Sequence, residues 1–257
     1  MLKTLLDSTR RRLDGVVARQ EDFESIARAL PPARSFAAAL SSQGLGVIAE
    51  VKRRSPSAGP IALDLDPATL AAAYERGGAV ALSVLTEPDH FAGSLEDLKA
   101  VRTATTLPVL RKDFTLHPAQ IWEARAAGAD AVLLIVAAVT SEDLAELLET
   151  ARLAGVTAIV EAHQRTEVVS AVSAGATVVG VNNRDLRTFV TDLAVAESMA
   201  SELDAADVIS IAESGVSSEE GARRMATAGY DAILVGEAAV RSSDPAVFIS
   251  SLVEAGR

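Results

Sequence analysis

Five ionisable side chains lie within or at the end of apolar runs of this sequence, where an unpaired charge is costly to bury. They are Glu50, Lys52, Lys112, Glu161 and Glu213. Residues two apart on a strand point to the same face, so Glu50 and Lys52 share a face of their predicted strand. Amines and carboxylates that meet in one site can pair, shift one another's pKa values and exchange protons with a substrate.

The use of lysine also points to acid–base chemistry. The chain has 24 basic residues, and only Lys3, Lys52, Lys99 and Lys112 are lysine. Arg stays protonated at any working pH, whereas Lys can be tuned to release a proton. Lys3 and Lys99 fall in a terminal segment and a predicted helix, but Lys52 and Lys112 lie near the ends of apolar strands. These two lysines are therefore the candidate acids.

Eight short apolar runs supply the strands that would position these groups. They span residues 46–52, 79–86, 108–113, 131–137, 157–162, 177–183, 208–215 and 232–238. Helix-like stretches rich in Ala, Leu and Glu separate the runs, and several end in a glycine just before the next strand. Such alternation is typical of a parallel sheet covered by helices. Eight units, with no residues left for a second domain, predict a closed (β/α)8 TIM barrel.

An open, doubly wound sheet is the alternative fold. It would be expected to carry a Gly-rich dinucleotide-binding turn after its first strand, and the turn here, KRRSPSAG, does not match. Residues 1–45 show helical patterns interrupted by Pro31 and Pro32, which predict a helical extension packed on the barrel. We therefore expect residues 1–257 to form a single domain.

The barrel prediction brings the polar residues together. In this fold the active site lies at the C-terminal ends of the strands. The residues at that end of the predicted strands are Glu50, Lys52, Lys112, Asp113, Glu161, Asn182, Asn183, Arg184, Glu213 and Ser214. Their convergence predicts one site with strongly interacting acids and bases.

The loops after the seventh and eighth predicted strands indicate an anion site. Gly215 and Gly236 lie in turns before predicted helix starts, and Glu237 follows Gly236. Turns of this kind present free backbone N–H groups to anions, and phosphate sites in this fold are often built from these two loops. The Glu237 side chain can point away, because the backbone N–H groups do the binding. The sequence therefore predicts a phosphate site here.

Composition limits the remaining possibilities. The absence of cysteine excludes disulfides, thiolate metal sites and cysteine nucleophiles. The formal net charge of −11 argues against a general binder of nucleic acid or membranes. No apolar run reaches the roughly 18 residues that span a bilayer, and the N-terminal segment lacks the apolar centre of a signal peptide. We expect a soluble, cytoplasmic protein.

Eight segments resemble, in order, the motifs of the indole-3-glycerol phosphate synthase family: EVKRRSPSAG, SVLTEPDHFAGS, VLRKDF, LLIVA, EAH, GVNNRDL, IAESGV and LVGEA. The resemblance covers all eight predicted strands and the N-terminal extension. It implies a carboxy-lyase of tryptophan biosynthesis. This enzyme closes the ring of 1-(2-carboxyphenylamino)-1-deoxyribulose 5-phosphate and releases carbon dioxide and water to give indole-3-glycerol phosphate. Since the chain ends just after its last predicted helix, we expect a monofunctional protein.

The resemblance also implies catalytic roles. Lys112 is the acid of ring closure, and a lysine whose pKa is lowered by nearby cations can serve as such an acid. Lys52 is the second acid or the clamp on the substrate carboxylate, and Glu161 is the acid or base of dehydration. The residues that orient the lysines and stabilise the developing positive charge are Glu50, Asn182 and Glu213.

The same resemblance implies where the substrate binds. The phosphate is expected on Ser55, Arg184, Ser214, Gly215, Gly236, Glu237 and neighbouring amides. The aromatic ring is expected against Pro56, Phe91, Phe114 and Leu133. No cofactor and no metal are expected. The expected partner is a phosphorylated, carboxylated small molecule, with no nucleic acid and no membrane, and the protein is expected to be a monomer or a weak homo-oligomer.

Three other functions fit a barrel of this kind. A sugar-phosphate isomerase or epimerase would share the phosphate loops, but it commonly uses Cys, Asp or metal-bound His. His90, His117 and His163 lie in three different loops or helix starts, where ordinary surface residues are expected. A Schiff-base aldolase could use a lysine of the site to attack a ketone. A binding protein without catalysis would have no reason to keep Lys at the site and Arg elsewhere.

Overall fold

The computed structural model describes residues 2–41, 44–185, 188 and 190–257. Met1, Ser42 and Gln43 of the predicted extension, and Leu186 of the GVNNRDL motif, lie outside the described residues. No helix in the described part of the chain is long and apolar enough to cross a membrane.

Eight parallel strands close into a barrel, as predicted. They are β1 (Gly46–Val51), β2 (Ala81–Leu85), β3 (Val109–Lys112), β4 (Ala131–Ile135), β5 (Thr157–Ala162), β6 (Val178–Asn182), β7 (Ile209–Glu213) and β8 (Ala232–Val235). Each strand pairs with the next in chain order, and β8 pairs with β1, with Gly46 opposite Ala232. Because closure leaves no free edge, this order excludes the open doubly wound sheet.

Helices alternate with the strands and cover the barrel. Their bounds are α1 (Leu2–Val17), α2 (Gln20–Ala29), α3 (Phe36–Leu40), α4 (Pro67–Arg76), α5 (Pro88–Phe91), α6 (Leu95–Ala104), α7 (Pro118–Ala126), α8 (Ser141–Ala154), α9 (Arg165–Ser173), α10 (Ala194–Glu197), α11 (Ala200–Ala205), α12 (Glu219–Ala228), α13 (Glu237–Arg241) and α14 (Pro245–Ala255). A 3-10 turn spans Val136–Ala138.

Glycines stop several of these helices, as the sequence predicts. Gly155 and Gly229 cap α8 and α12 with φ values of 69° and 92°, in the left-handed region that residues with a Cβ rarely adopt. Gly78, Gly128 and Gly175 also have positive φ just before a strand begins. Each left-handed turn reverses the chain and directs it into the next strand.

The last helix of the N-terminal extension, α3, closes the barrel at the end opposite the predicted site. Phe36 and Leu40 of α3 are fully buried and pack in one cluster with the interior residues Ile48 and Leu110. Just before α3, the Arg34 backbone N–H donates to Asp130, which directly precedes β4. The segment around α3 therefore packs on the barrel, and α3 fills the N-terminal end of the barrel interior.

The loop after β1 has a structure of its own. Arg54–Ser55 and Gly59–Pro60 form a short antiparallel hairpin. The Arg53 guanidinium anchors the base of the hairpin, because it pairs with Asp97 and donates to the carbonyl of Leu63. This anchoring holds the tip of the loop over the C-terminal end of the barrel.

Candidate active site

A lysine side chain that is 14% exposed lies between two buried carboxylates at the C-terminal end of the barrel. Lys112 Nζ is 3.2 Å from Glu161 Oε2 and 3.2 Å from Glu213 Oε2. Lys112 and Glu213 are the last residues of β3 and β7, and Glu161 is the second-to-last residue of β5. Alternation along each strand points the three side chains to the barrel interior. Lys112, Glu161 and Glu213 are called the catalytic cluster below.

A second lysine–carboxylate pair lies beside this cluster. Lys52 Nζ is 2.6 Å from Glu50 Oε1, which shows that the two side chains share a face as their spacing predicts. Gly236, directly after β8, allows this approach, because a Cβ there would overlap Glu50 Oε1. Gly236 therefore leaves room for the Lys52–Glu50 pair.

The expectation that nearby cations lower the pKa of Lys112 is wrong. Burial alone would lower this pKa, but the charges of Glu213, Glu161 and Glu50 outweigh burial and raise the pKa above its ordinary value. Lys112 is therefore fully protonated at any working pH. A strong base formed on a substrate, such as an alkoxide, would be needed to take the proton.

The two carboxylates of the catalytic cluster differ in their pKa values. Burial would raise the pKa of Glu161, but Lys112, His163 and a hydrogen bond from Asn182 lower it. Burial raises the pKa of Glu213 to about 7, and the negative charge of Glu161 contributes. Two acids whose environments separate their pKa values in this way can divide acid and base roles.

Asn182 and Arg184 link the cluster to the loop after β1. Asn182 Nδ2 donates to Glu161 Oε1 at 3.1 Å, and the Arg184 backbone N–H donates to Asn182 Oδ1 at 3.0 Å. The Arg184 guanidinium then donates to Ser57 Oγ at 3.0 Å and to Thr191 Oγ1 at 3.3 Å. Arg184 is therefore held at the rim with its guanidinium between two hydroxyls.

These groups line one cavity of about 430 Å³. Most of the residues predicted for the site line it: Glu50, Lys52, Pro56, Phe91, Lys112, Phe114, Leu133, Glu161, Asn182, Arg184, Glu213, Ser214, Gly215, Gly236 and Glu237. The apolar residues come from the loops after β1 to β3 and from β4, and the glycine turns come from the opposite side of the barrel. Phe91 and Phe114 lie with their ring centroids 6.4 Å apart. The cavity thus has an apolar side, a charged centre and a polar side.

The predicted phosphate loops differ from each other. Ser214 and Gly215 form a left-handed turn with φ values of 65° and 92°, but the following helix α12 starts only at Glu219. The segment 216–218 therefore separates Gly215 from the helix that follows it. Gly236 does directly precede α13, and the Glu237 carboxylate is paired with Arg241 at 3.0 Å.

Three of the polar residues at this end of the barrel make structural hydrogen bonds. Ser55 does not line the cavity, because its buried hydroxyl accepts the backbone N–H of Ala58. Asp113 lines the cavity, but its carboxylate accepts hydrogen bonds from Thr86 and Arg111. The Asn183 side chain donates to the carbonyls of Glu213 and Ser214. The sequence pattern places all three at the correct end of the barrel but does not reveal these partners.

No group of three or more His, Asp or Glu side chains that could hold a metal ion occurs within the described residues.

Comparison with known proteins identifies the family. A family model described as indole-3-glycerol phosphate synthase matches residues 2–252. The indole-3-glycerol phosphate synthase of Rhodococcus opacus (strain B4) is 51% identical over 262 residues, covering 98% of this chain and 96% of the relative. The enzyme of that name from Mycobacterium ulcerans (strain Agy99) is 49% identical over 259 residues, covering 98% of this chain and 95% of the relative.

The chain belongs to the indole-3-glycerol phosphate synthase family. This membership confirms the resemblance seen in the motifs. Among solved structures, thiamine phosphate pyrophosphorylase from Pyrococcus furiosus matches with a TM-score of 0.63 and 18% identity, covering 82% of this chain and 95% of that chain. At such low identity this likeness shows the barrel fold alone.

The sequence did not reveal several residues around the site of this indole-3-glycerol phosphate synthase family member. Ser57, Arg241, Leu5 and Ile135 line the cavity, and His163 contacts Glu161. Leu5 comes from α1, which precedes the barrel strands, and Arg241 is the last residue of α13, so neither belongs to a strand-end motif. Sequence spacing could have indicated His163, because it lies two residues after Glu161 on the same strand face. The expectation that His163 is an ordinary surface residue is wrong.

Gly180 is predicted to be needed for the position of Glu213. A Cβ at this position of β6 would overlap Glu213 Oε1, so Gly180→Ala must displace the carboxylate that holds Lys112. A shift of about 1 Å can cost up to about 10²-fold, so we expect kcat to fall about 10- to 100-fold with the fold retained. Steady-state kinetics and circular dichroism would measure this. Gly15→Ala is the matched control, since a Cβ at Gly15 meets no atom within 4 Å, and wild-type kcat in Gly180→Ala would contradict the prediction.

Proposed function

We propose that this chain converts 1-(2-carboxyphenylamino)-1-deoxyribulose 5-phosphate to indole-3-glycerol phosphate by general acid–base catalysis in the cavity described above. Membership of the family makes the chain a carboxy-lyase of tryptophan biosynthesis. The observation that supports the division of roles is the catalytic cluster, in which one lysine lies 3.2 Å from each of two carboxylates. Formation of indole-3-glycerol phosphate by the purified chain tests the proposal.

Lys112 is the proposed acid of ring closure. Attack of the ring carbon on the substrate ketone creates an alkoxide, which must be protonated. An alkoxide is a stronger base than an amine, so Lys112 can give up its proton at this step although its pKa is raised in the free enzyme. The carboxylates of Glu161 and Glu213 orient the ammonium group and stabilise the positive charge that develops on the substrate before carbon dioxide leaves.

Dehydration needs both a base and an acid. The lowered pKa of Glu161 means that it starts as a carboxylate, so Glu161 is the proposed base for the ring-side proton. The departing hydroxyl must accept a proton to leave as water. Lys52, held by Glu50 at 2.6 Å, is the proposed donor, or the clamp on the substrate carboxylate.

The two sides of the cavity suit the two ends of the substrate. The aromatic ring is proposed to lie on the apolar side, against Pro56, Phe91, Phe114 and Leu133. The phosphate is proposed to lie on the polar side, on Arg184 and the backbone amides of Ser214, Gly215, Gly236 and Glu237. The hydroxyl group proposed to contact the phosphate is that of Ser57 and not that of Ser55, because Ser57 lines the cavity and contacts Arg184. The reacting carbons then lie next to the lysines.

Family membership favours this function over the isomerase, epimerase and aldolase alternatives. The substrate is accordingly a phosphorylated small molecule. We further propose that the protein acts in the cytoplasm as a monomer or weak homo-oligomer, and that residues 1–257 form one domain. Burial of Phe36 and Leu40 inside the barrel supports the last point, since removing α3 would expose the interior.

Arg184→Ala is expected mainly to raise KM. A charge-assisted hydrogen bond to phosphate contributes about 1.5–3 kcal/mol, which corresponds to a KM increase of about 10- to 100-fold. Steady-state kinetics with the linear substrate would measure KM and kcat separately. Arg223→Ala, which breaks an exposed ion pair with Glu219, is the control. A normal KM with a collapsed kcat would place Arg184 in the chemistry instead.

A further inference from the structure

His163 lies directly behind the proposed base. It follows β5 and comes two residues after Glu161, so both side chains are on the same side of the strand. The ring lies between two carboxylates, with Nε2 3.4 Å from Glu161 Oε1 and Nδ1 3.6 Å from Glu167 Oε2. The His163 side chain is only 15% exposed. It contacts the oxygen of Glu161 that Asn182 also contacts, while Lys112 contacts the other.

The ring nitrogens of His163 favour the protonated state. Both are buried, and neither has a hydrogen-bond partner at normal distance among the described residues. A neutral imidazole has one N–H and one lone pair, so it would direct that lone pair at a carboxylate. An imidazolium has two N–H groups and can donate to both carboxylates after a shift of a few tenths of an ångström.

The charges around His163 come from several elements. Glu161 of β5 and Glu167 of α9 flank the ring, and Glu213 of β7 lies beyond Glu161. His163 also lines a second cavity of about 590 Å³ with Asp185 and Asp192. Burial would lower the pKa of His163, but Glu167, Glu161 and Glu213 raise it above its ordinary 6.5. The surrounding carboxylates therefore favour the protonated form of His163.

We propose that protonated His163 is a positioning residue, which bridges Glu161 to Glu167 and holds Glu161 as an aligned carboxylate for dehydration. The proposal rests on the proposed function of Glu161 as the base. The pH dependence of this bridge follows from the raised pKa of His163. The bridge is complete below the pKa of His163 and is lost as the pH rises through that value, so kcat should fall on the alkaline side.

The bridge can be tested without an activity measurement. The chain has three histidines, so nitrogen NMR of the imidazoles as a function of pH can follow each one, with His163 assigned by its loss in His163→Asn. We expect a pKa above 6.5 for His163. Glu161→Gln and Glu167→Gln should each lower it by about 0.5 to 1 unit, because each removes one adjacent negative charge. A pKa at or below 6.5, or one that neither variant changes, would overturn the bridge.

Kinetics test whether the bridge matters for the reaction. We expect His163→Asn to lower kcat about tenfold, to leave KM within about twofold and to remove the alkaline decline, because Asn keeps a polar group but carries no charge. His90→Asn, the same change in a different loop, is the control. A wild-type kcat and pH profile in His163→Asn would overturn the positioning role. Wild-type kcat in Glu161→Gln would instead refute the proposed function of Glu161, and the NMR titration would still decide the bridge.

Discussion

Replacing Lys112 with Arg is expected to lower kcat by about 10²- to 10⁴-fold, the usual contribution of a general acid, or about 3–5 kcal/mol of transition-state stabilisation. The substitution keeps a positive charge between Glu161 and Glu213. The same carboxylates would hold the proton on a guanidinium even more tightly, because the intrinsic pKa of Arg lies about 2–3 units above that of Lys. Steady-state kinetics would measure the loss, and binding of a product analogue should change much less.

Geometry is the main confounder of this experiment, because Arg is longer and planar. Lys112→Met, uncharged and of similar length, controls for it, and Lys99→Arg on the exposed surface controls for the substitution itself. We expect both Lys112 variants to be folded and severely impaired in kcat. Near-wild-type turnover by Lys112→Arg, with no turnover by Lys112→Met, would show that Lys112 is an electrostatic anchor and not the acid.

Glu161→Gln is expected to lower kcat by about 10²- to 10⁴-fold while substrate binding stays near normal. Gln keeps the shape and one acceptor oxygen, which can serve either Asn182 or Lys112, but it cannot accept the ring-side proton. Single-turnover kinetics should show that ring closure continues and that the dehydrated product, indole-3-glycerol phosphate, forms more slowly.

The loss of the Glu161 charge also lowers the pKa of Lys112, so the two effects must be separated. If dehydration is blocked, the ring-closed intermediate accumulates. If Lys112 is impaired, the linear substrate stays unconverted. Glu219→Gln, an exposed change of the same type, is the control. A wild-type kcat in Glu161→Gln would remove Glu161 from proton transfer.

The barrel and the position of the site are predictable from this sequence for a simple physical reason. Parallel strands buried on both faces need continuous apolar runs, so the charges of Glu50 and Lys112 stand out against that background. Because all strands run in the same direction, these charges must meet at one end of the barrel. The structure places both at the C-terminal end, along the wall of one cavity.

The properties that depend on distance are not predictable in this way. The sequence predicts that Lys112 and Glu213 lie at the same end of the barrel. Only the 3.2 Å contact between them explains why the pKa of Lys112 is raised and not lowered. Ser55 and Ser57 differ by two residues in a short hairpin, and only its fold decides which one reaches the cavity. The 3.6 Å contact between His163 and Glu167 likewise depends on how the end of β5 and α9 are placed.

The most direct test of the proposed function is whether the purified chain forms indole-3-glycerol phosphate from the linear substrate. Indole fluorescence and carbon dioxide release should be followed together, with Lys112→Met as the matched control. We expect fluorescence to appear with one carbon dioxide released per product, and both signals to be lost in Lys112→Met. Folded wild-type protein that isomerises or cleaves the substrate without indole fluorescence, or that gives no product, would contradict the proposed function.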